Sequence, residues 1–238
     1  MGAPQDRDRS LVMTAQQACC SLLPQPRSLR PINGFFEFSD GTPICHGGSL
    51  EPPEAAAVDR FRDSCAARLG VQCFVRGSIS GRPDGGIVVK TAAASDAGGV
   101  LPRAEASQPA GELARATQSY RLRVMPEGVE LVGESAAGLF YGLQTLGQIL
   151  LCCGRRWPCL EIEDAPDFAV RGLSFDVSRG KVPTLDTLKD LVDRLASLKA
   201  NHLQLYVEHT FAFSFDPDIA AGCSPLTAGE IRELDAYC

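Results

Sequence analysis

Apolar residues recur at helical spacing in four stretches of the chain. In Glu54–Gly70, Val58, Phe61, Cys65 and Leu69 share one face, and Gly70 can end the helix in a left-handed conformation. In Ser135–Leu151, Leu139, Leu143, Leu146 and Leu150 form one stripe, while Tyr141, Gln144, Thr145 and Gln148 form the other. Thr184–Lys199 lines up Leu185, Leu188, Leu191, Val192, Leu195 and Leu198, with Lys199 placed to suit the negative end of the helix dipole. Leu226–Cys238 opens with a capping box, Thr227 with Glu230, and Leu226 can meet Ile231 as a hydrophobic staple.

Strand-like runs fill the intervals. Leu22–Pro31 is proline-rich and reads as extended, Asn33–Gly34 as a turn, and Phe35–Phe38 as a strand. Gln72–Arg76 and Ile87–Thr91 are short strands. Tyr120–Val124 and Val129–Val132 make a hairpin around Pro126–Gly128, and Pro158–Ile162 is a further strand. Ala92–Ala116, rich in Ala, Gly, Ser and Pro, reads as a surface loop, and residues 1–20 as a weakly ordered tail. Asp164–Pro166 breaks the chain, and the rhythm then changes. Arg171–Val177 and Leu203–Val207 are strands alternating with the last two helices, an order that requires a parallel sheet with crossover helices. The expected division is therefore a tail (1–20), an α+β domain (21–166) and an incomplete α/β segment of the TIM-barrel type (167–238). Two parallel strands cannot cover both faces of a sheet, and a closed (β/α)8 barrel needs eight, so the sequence is expected to continue past Cys238.

Composition narrows the classes of function. With 23 basic and 29 acidic residues the net charge is −6, which argues against nucleic acid as a partner. Ala136–Cys153 carries no charge over a length near that of a membrane span, but its two-faced pattern reads as a half-buried helix, and no membrane association is expected. The first twenty residues lack the apolar core of a signal peptide. Ten cysteines without a C-x-x-C spacing read as reduced, mostly buried thiols, so a cytoplasmic location is expected.

Three segments carry a family resemblance: GLFYGLQTLGQIL (Gly138–Leu150), EIEDAPDFAVRGLSFDVSRG (Glu161–Gly180) and LASLKANHLQLYVEHTFAF (Leu195–Phe213). Together they resemble glycoside hydrolase family 20, the β-N-acetylhexosaminidases. The resemblance implies that residues from about Leu23 to Asp164 form the family's N-terminal domain, often called zincin-like, and that residues from about Phe168 onward form the first two βα units of its catalytic barrel. It implies exo-acting removal of terminal N-acetylhexosamine. The substrate's own acetamido oxygen attacks, an Asp orients it and a Glu protonates the leaving group. That Asp–Glu pair is expected beyond Cys238, so no catalytic residue is assigned in this chain. No cofactor is implied, and without an H-E-x-x-H motif "zincin-like" gives no reason to expect zinc.

The resemblance assigns substrate contact to Arg179, in Asp176-Val177-Ser178-Arg179 after the first barrel strand. A guanidinium fork suits two adjacent sugar hydroxyls. Asp176 is expected to hold that fork. Glu208 and His209 end the second strand on the same side and are also candidate substrate-binding residues, although the family usually has aspartate there. Arg171, at the opposite end of its strand, reads as stabilising. His202 and His209 stand about 20 Å apart along one strand, at ~3.3 Å per residue, and cannot share a metal. Trp157 and Arg155–Arg156 read as loop packing, and the helix glycines Gly138, Gly142 and Gly147 as points of close approach. A second reading stays open: a non-catalytic α+β module that binds a glycan or a protein partner. Whether the reading frame continues past Cys238 discriminates the two.

Overall fold

The computed structural model describes residues 21–77, 85–92, 112 and 115–238. The expected tail and nearly all of the Ala92–Ala116 loop lie outside the described residues. The chain divides into two compact units, Met1–Ala169 and Val170–Cys238.

The first unit contains β1 (Ser28–Glu37), β2 (Pro43–His46), α1 (Pro52–Leu69), β3 (Phe74–Arg76), β4 (Gly86–Thr91), β5 (Tyr120–Met125), β6 (Gly128–Gly133), α2 (Ala136–Cys153) and β7 (Arg156–Asp164). Its strands form one seven-stranded sheet in the order β1-β7-β5-β6-β4-β2-β3. The pairs from β1 to β6 are antiparallel, and those from β6 to β3 are parallel. α2 lies across the central strands and α1 packs beside it. Val58, Phe61 and Cys65 of α1 are buried as the periodicity requires, and Gly70 closes that helix at φ 64°.

Two strand assignments differ from the sequence reading. The end of the proline-rich segment from Ser28, the Asn33–Gly34 signal and Phe35–Glu37 become one long strand, β1, whose register against β7 slips between Pro31 and Phe35. Gly34, at φ 115°, absorbs the slip, so the turn signal marks a bulge rather than a reversal. β2 was not foreseen. It is four residues long, lies between β3 and β4 with Ile44 and Cys45 paired on both sides, and has no alternation to betray it.

α2 is the one helix among the described residues long and apolar enough to cross a membrane, and half of it is buried inside the protein. Its leucine stripe, Leu139, Leu143, Leu146 and Leu150, sits in the core. Its second stripe is not a solvated face. Tyr141 and Thr145 are buried as well, and Gln148 accepts from the backbone N–H of Leu23 at 2.8 Å and donates to its carbonyl at 2.5 Å. Thr145 Oγ1 lies 2.7 Å from the Tyr120 hydroxyl, which also donates to Asp164 at 2.9 Å. Burial, the larger cause, and the Asp164 charge push the Tyr120 phenol well above its ordinary pKa, so it stays protonated.

Glycines set how closely α2 approaches the hairpin. A Cβ on Gly138 would lie 2.1 Å from the Ser119 carbonyl oxygen, and one on Gly142 would lie 2.3 Å from a Leu131 methyl. Gly147 differs from the expectation, because a Cβ there would meet nothing within 4 Å. Trp157 lies in β7 rather than in a turn. It stacks on Phe38 at 4.8 Å between ring centroids and donates its indole N–H to the Gly154 carbonyl at 2.8 Å.

Strand alternation turns a charged face away from α2. Glu161 sits between Arg30 and Arg123, its cross-strand partners on either side. Arg121 pairs with Glu163 at 3.0 Å and Lys90 with Glu130 at 2.6 Å. The Arg30 guanidinium, then the Arg123 charge, hold the Glu161 carboxyl below the usual carboxylate range.

The second unit contains β8 (Gly172–Asp176), α3 (Leu185–Ser197), β9 (His202–Tyr206), a short 3-10 turn (Pro217–Ala220) and α4 (Ala228–Tyr237). β8 and β9 are parallel, in register from Gly172 opposite His202 to Asp176 opposite Tyr206. Val177, Leu188, Leu226 and Leu234 form its buried cluster. Thr184 caps α3, and the Thr227–Glu230 capping box opens α4 as foreseen. α3 ends two residues before Lys199, which takes φ 60° and reverses the chain. Arg171 Nε donates to the Lys199 carbonyl at 3.0 Å and its N–H to Asn201 at 2.8 Å, which fixes the base of the strand pair.

The glycines of α2 should separate sharply on substitution. Gly138→Ala should lower unfolding free energy by at least about 2 kcal/mol, because backbone rather than a side chain must move. Gly147→Ala should raise it by roughly 0.5–1 kcal/mol through helix propensity alone. Chemical denaturation of both variants checks this; equal effects would contradict the close approach.

Candidate functional site

The side chains assigned from sequence meet at the C-terminal ends of β8 and β9. Parallel pairing sets Asp176 opposite Tyr206, so the segments 177–179 and 207–210 leave the sheet side by side. The Val177 N–H donates to the Tyr206 carbonyl at 3.2 Å and extends the ladder by one rung.

Asp176 closes an Asx-type turn on the residues that follow it. Its Oδ1 accepts from the Ser178 N–H at 2.8 Å and the Arg179 N–H at 3.1 Å. Its Oδ2 is paired with Nε and Nη2 of Arg179. One carboxylate thus fixes both the turn and the guanidinium plane. Asp176 is half-buried rather than buried, whereas the Arg179 side chain is 72% exposed. The Nη1 edge of the fork lies away from that carboxylate, and the guanidinium carbon stands 5.3 Å from the centroid of the Tyr206 ring. The Ser178 N–H, then the Arg179 N–H and guanidinium, hold the Asp176 carboxyl below the usual range.

Ser178 ties the two segments together. Its hydroxyl accepts from the Glu208 N–H at 2.6 Å and lies 3.1 Å from the Thr210 hydroxyl. Both Ser178 and Thr210 are buried. Glu208 is exposed, and its carboxylate accepts from the Tyr206 hydroxyl at 2.8 Å. That bond, then the Glu208 charge, raises the Tyr206 phenol above its ordinary pKa. His209 is half-buried and stands outside this network.

The structure thus brings Asp176, Arg179 and Glu208 together and adds Ser178, Tyr206 and Thr210, which the sequence reading missed. Tyr206 could have been found: it lies two residues before Glu208 and so projects to the same side of the strand. Ser178 and Thr210 gave no such signal, because a hydroxyl cross-link between two loops depends on a register visible only after pairing. Among the described residues, no group of three His, Cys, Asp or Glu side chains converges as a metal site would require.

Chemically, the arrangement is a presented cation with its counter-charge behind it, bordered by an aromatic face and a free carboxylate oxygen. Such a surface donates paired hydrogen bonds to neighbouring oxygens of a neutral polyol and accepts one in return.

Comparison with known proteins decides the family. Residues 19–165 match the family model for glycosyl hydrolase family 20, domain 2, over more than half of the chain. The chain belongs to glycoside hydrolase family 20. A beta-hexosaminidase of Porphyromonas gingivalis is 28% identical over 209 residues, which are 82% of this chain and 23% of that protein. A beta-N-acetylhexosaminidase of Cellulomonas fimi is 40% identical over 93 residues, 38% of this chain and 18% of that protein. The solved Streptomyces plicatus N-acetyl-beta-hexosaminidase in complex with Thio-NAglucal superposes with a TM-score of 0.70 at 27% identity. That superposition covers 91% of this family 20 chain and 43% of the solved one. The chain therefore spans about a quarter of the P. gingivalis relative and about two-fifths of the solved chain.

The Asp176 carboxylate offers a direct check of the network. Its folded pKa is lowered, so the stability it contributes is present above the unfolded value of ~3.9 and is lost as pH falls through the lower folded value. In a carboxyl NMR titration of Arg179→Ala, the Asp176 midpoint should rise only part of the way to its ordinary value, because the Ser178 N–H remains in place. An unchanged midpoint would show that the ion pair does not form in solution.

Proposed function

We propose that this chain is the N-terminal α+β domain and the first two βα units of the (β/α)8 barrel of an exo-acting β-N-acetylhexosaminidase, which removes terminal N-acetylhexosamine by substrate-assisted retaining hydrolysis. In this reading Val170–Cys238 supplies sugar-binding groups, and none of its residues transfers the proton or orients the acetamide. β8 and β9 are barrel strands one and two, and their C-terminal ends face the substrate, as in barrel enzymes generally.

One observation carries the reading: the Arg179 guanidinium is held by Asp176 at the C-terminal end of β8, with its side chain largely exposed. A fork fixed from behind loses little freedom on meeting two sugar hydroxyls, so its hydrogen bonds go to binding the ring. Tyr206 and Glu208 border it: the ring offers a flat face, and the carboxylate accepts from a hydroxyl. In this reading the glutamate at 208 reaches one methylene further than the aspartate usual in the family, and its bond to the Tyr206 hydroxyl supports a place for it beside the sugar. The beta-hexosaminidase names of the relatives support the choice of substrate class.

The test compares two proteins on a chromogenic β-N-acetylglucosaminide: the 238 residues alone, and these residues within the longest open reading frame that contains them. The longer protein should turn over, and the shorter should not. Arg179→Ala in the longer protein should lower kcat/KM by about a hundredfold, the worth of a charge-assisted pair of hydrogen bonds at roughly 2–3 kcal/mol. Turnover by the shorter chain would overturn the assignment of roles. Sugar binding without turnover in either protein would favour a non-catalytic glycan-binding module.

A further inference from the structure

One aromatic side chain touches both charged residues at the open side of the candidate site. Tyr206 ends β9, and its hydroxyl donates to Oε1 of Glu208 at 2.8 Å. The Arg179 guanidinium carbon stands 5.3 Å from the centroid of the same ring, within the range of a cation–π contact. The backbone also holds the two charged residues near each other. The Glu208 N–H donates at 2.6 Å to the hydroxyl of Ser178, the residue before Arg179. Opposite charges so placed attract. The Asp176 carboxylate raises the Arg179 pKa most, and the Glu208 charge adds to it. Yet among the described residues the ion-pair partner of Arg179 is Asp176, and Glu208 stands in no ion pair.

We propose that Tyr206 is a positioning residue that keeps Glu208 and Arg179 apart, so that both stay open to a neutral sugar. The sugar in this statement rests on the function proposed above; the separation of the charges does not.

The two ends of the tyrosine side chain act on different partners. The hydroxyl occupies one oxygen of Glu208 and fixes where the carboxylate lies. The ring face attracts the guanidinium without using up its N–H groups. Asp176 takes Nε and Nη2 from the other side. The Nη1 edge and the second carboxylate oxygen remain, a donor and an acceptor that a pyranose with adjacent hydroxyls can meet together. The backbone keeps the spacer in place. The Tyr206 carbonyl accepts from the Val177 N–H at 3.2 Å and the Ser178 hydroxyl at 3.4 Å, and Tyr206 lies opposite Asp176 in the parallel register. A tyrosine has fewer side-chain torsions to order than arginine or glutamate, so it is the stiffest of the three.

Without the hydroxyl, Glu208 can swing onto the exposed guanidinium. A sugar must then break that ion pair before it binds. An exposed pair is worth at most a few-fold in affinity and is screened by salt. The expected loss is therefore small, with a signature of its own.

The test uses Tyr206→Phe in the 238-residue protein. The residue is 43% exposed and the ring is kept, so the fold is not at stake. In the ligand-free crystal structure of the variant, the Glu208 carboxylate should lie within ion-pair reach of Arg179, about 4 Å. In an NMR titration with N-acetylglucosamine at low salt, the dissociation constant should rise about threefold. Sodium chloride at about 0.5 M should remove most of that rise, because only the variant has an ion pair to break. Glu208→Gln should abolish the effect: with residue 208 neutral, adding Tyr206→Phe should cost nothing further. A tyrosine that only filled space would show neither the salt dependence nor the coupling. The titration stands by itself if the variant does not crystallise. Glu208 remaining apart from Arg179 in the variant would overturn the proposal. So would a loss that salt leaves unchanged and that adds to the loss from Glu208→Gln. An ion pair that forms in the variant of a protein whose wild type binds no sugar would uphold the spacer and overturn the sugar-binding role instead.

Discussion

The contact between α2 and the β5–β6 hairpin is the constraint on which the first unit depends. A helix can lie this close to a sheet only where side chains are missing from the contact, and Gly138 and Gly142 supply that absence. The hairpin contributes its own: a Cβ on Gly133 would lie 2.2 Å from the Leu139 nitrogen. Bringing helix and sheet so close buries Tyr120, whose hydroxyl must then find partners within the protein. Thr145 and Asp164 meet that need, and they tie α2 and β7 to the same strand. Steric permission, hydrophobic burial and polar satisfaction thus converge on one strand of the hairpin.

The same contact explains what could be read from sequence and what could not. Helices α1 to α4 were legible because each carries an apolar stripe at helical spacing, and periodicity records such a stripe faithfully whatever the depth of its burial. The capping residues Thr184 and Thr227 were legible because capping is local chemistry within three residues. In the second stripe of α2 a helical projection groups Tyr141 and Thr145 with Gln144 and Gln148, and only their partners in space reveal that the first two are buried. β2 escaped because a strand paired on both sides needs no alternation, and its leading Pro43 with Gly41, Gly47 and Gly48 around it mimics a loop. In β1, one glycine was taken for a turn where it accommodates a bulge.

For the candidate site the boundary falls elsewhere. Arg179 and Asp176 were found because they are three residues apart at the end of one strand, within reach of a single turn. Glu208 was found because its strand ends on the same side. The links between these segments were invisible, since Ser178 and Thr210 are thirty-two residues apart and meet only through the parallel register. The most exposed member, Arg179, depends on the most buried ones: the hydroxyls of Ser178 and Thr210 lock the loop that Asp176 then uses to aim the guanidinium.

The ion pairs on the sheet face away from α2 bear on how this domain behaves beside other proteins. Arg30, Arg121, Arg123 and Lys90 stand among Glu130, Glu161 and Glu163, so four cations meet three carboxylates on a chain whose net charge is −6. Stripping water from so many charges at once costs more than stacking a second sheet there returns, so the face resists self-association without any steric guard. Acidification removes the carboxylates and keeps the cations, leaving neighbouring strands to repel one another across that surface. The outward charge pairs around Glu161, which join β7 to β1 and β5, would then be lost while the backbone ladders and the hydrophobic side hold these strands together.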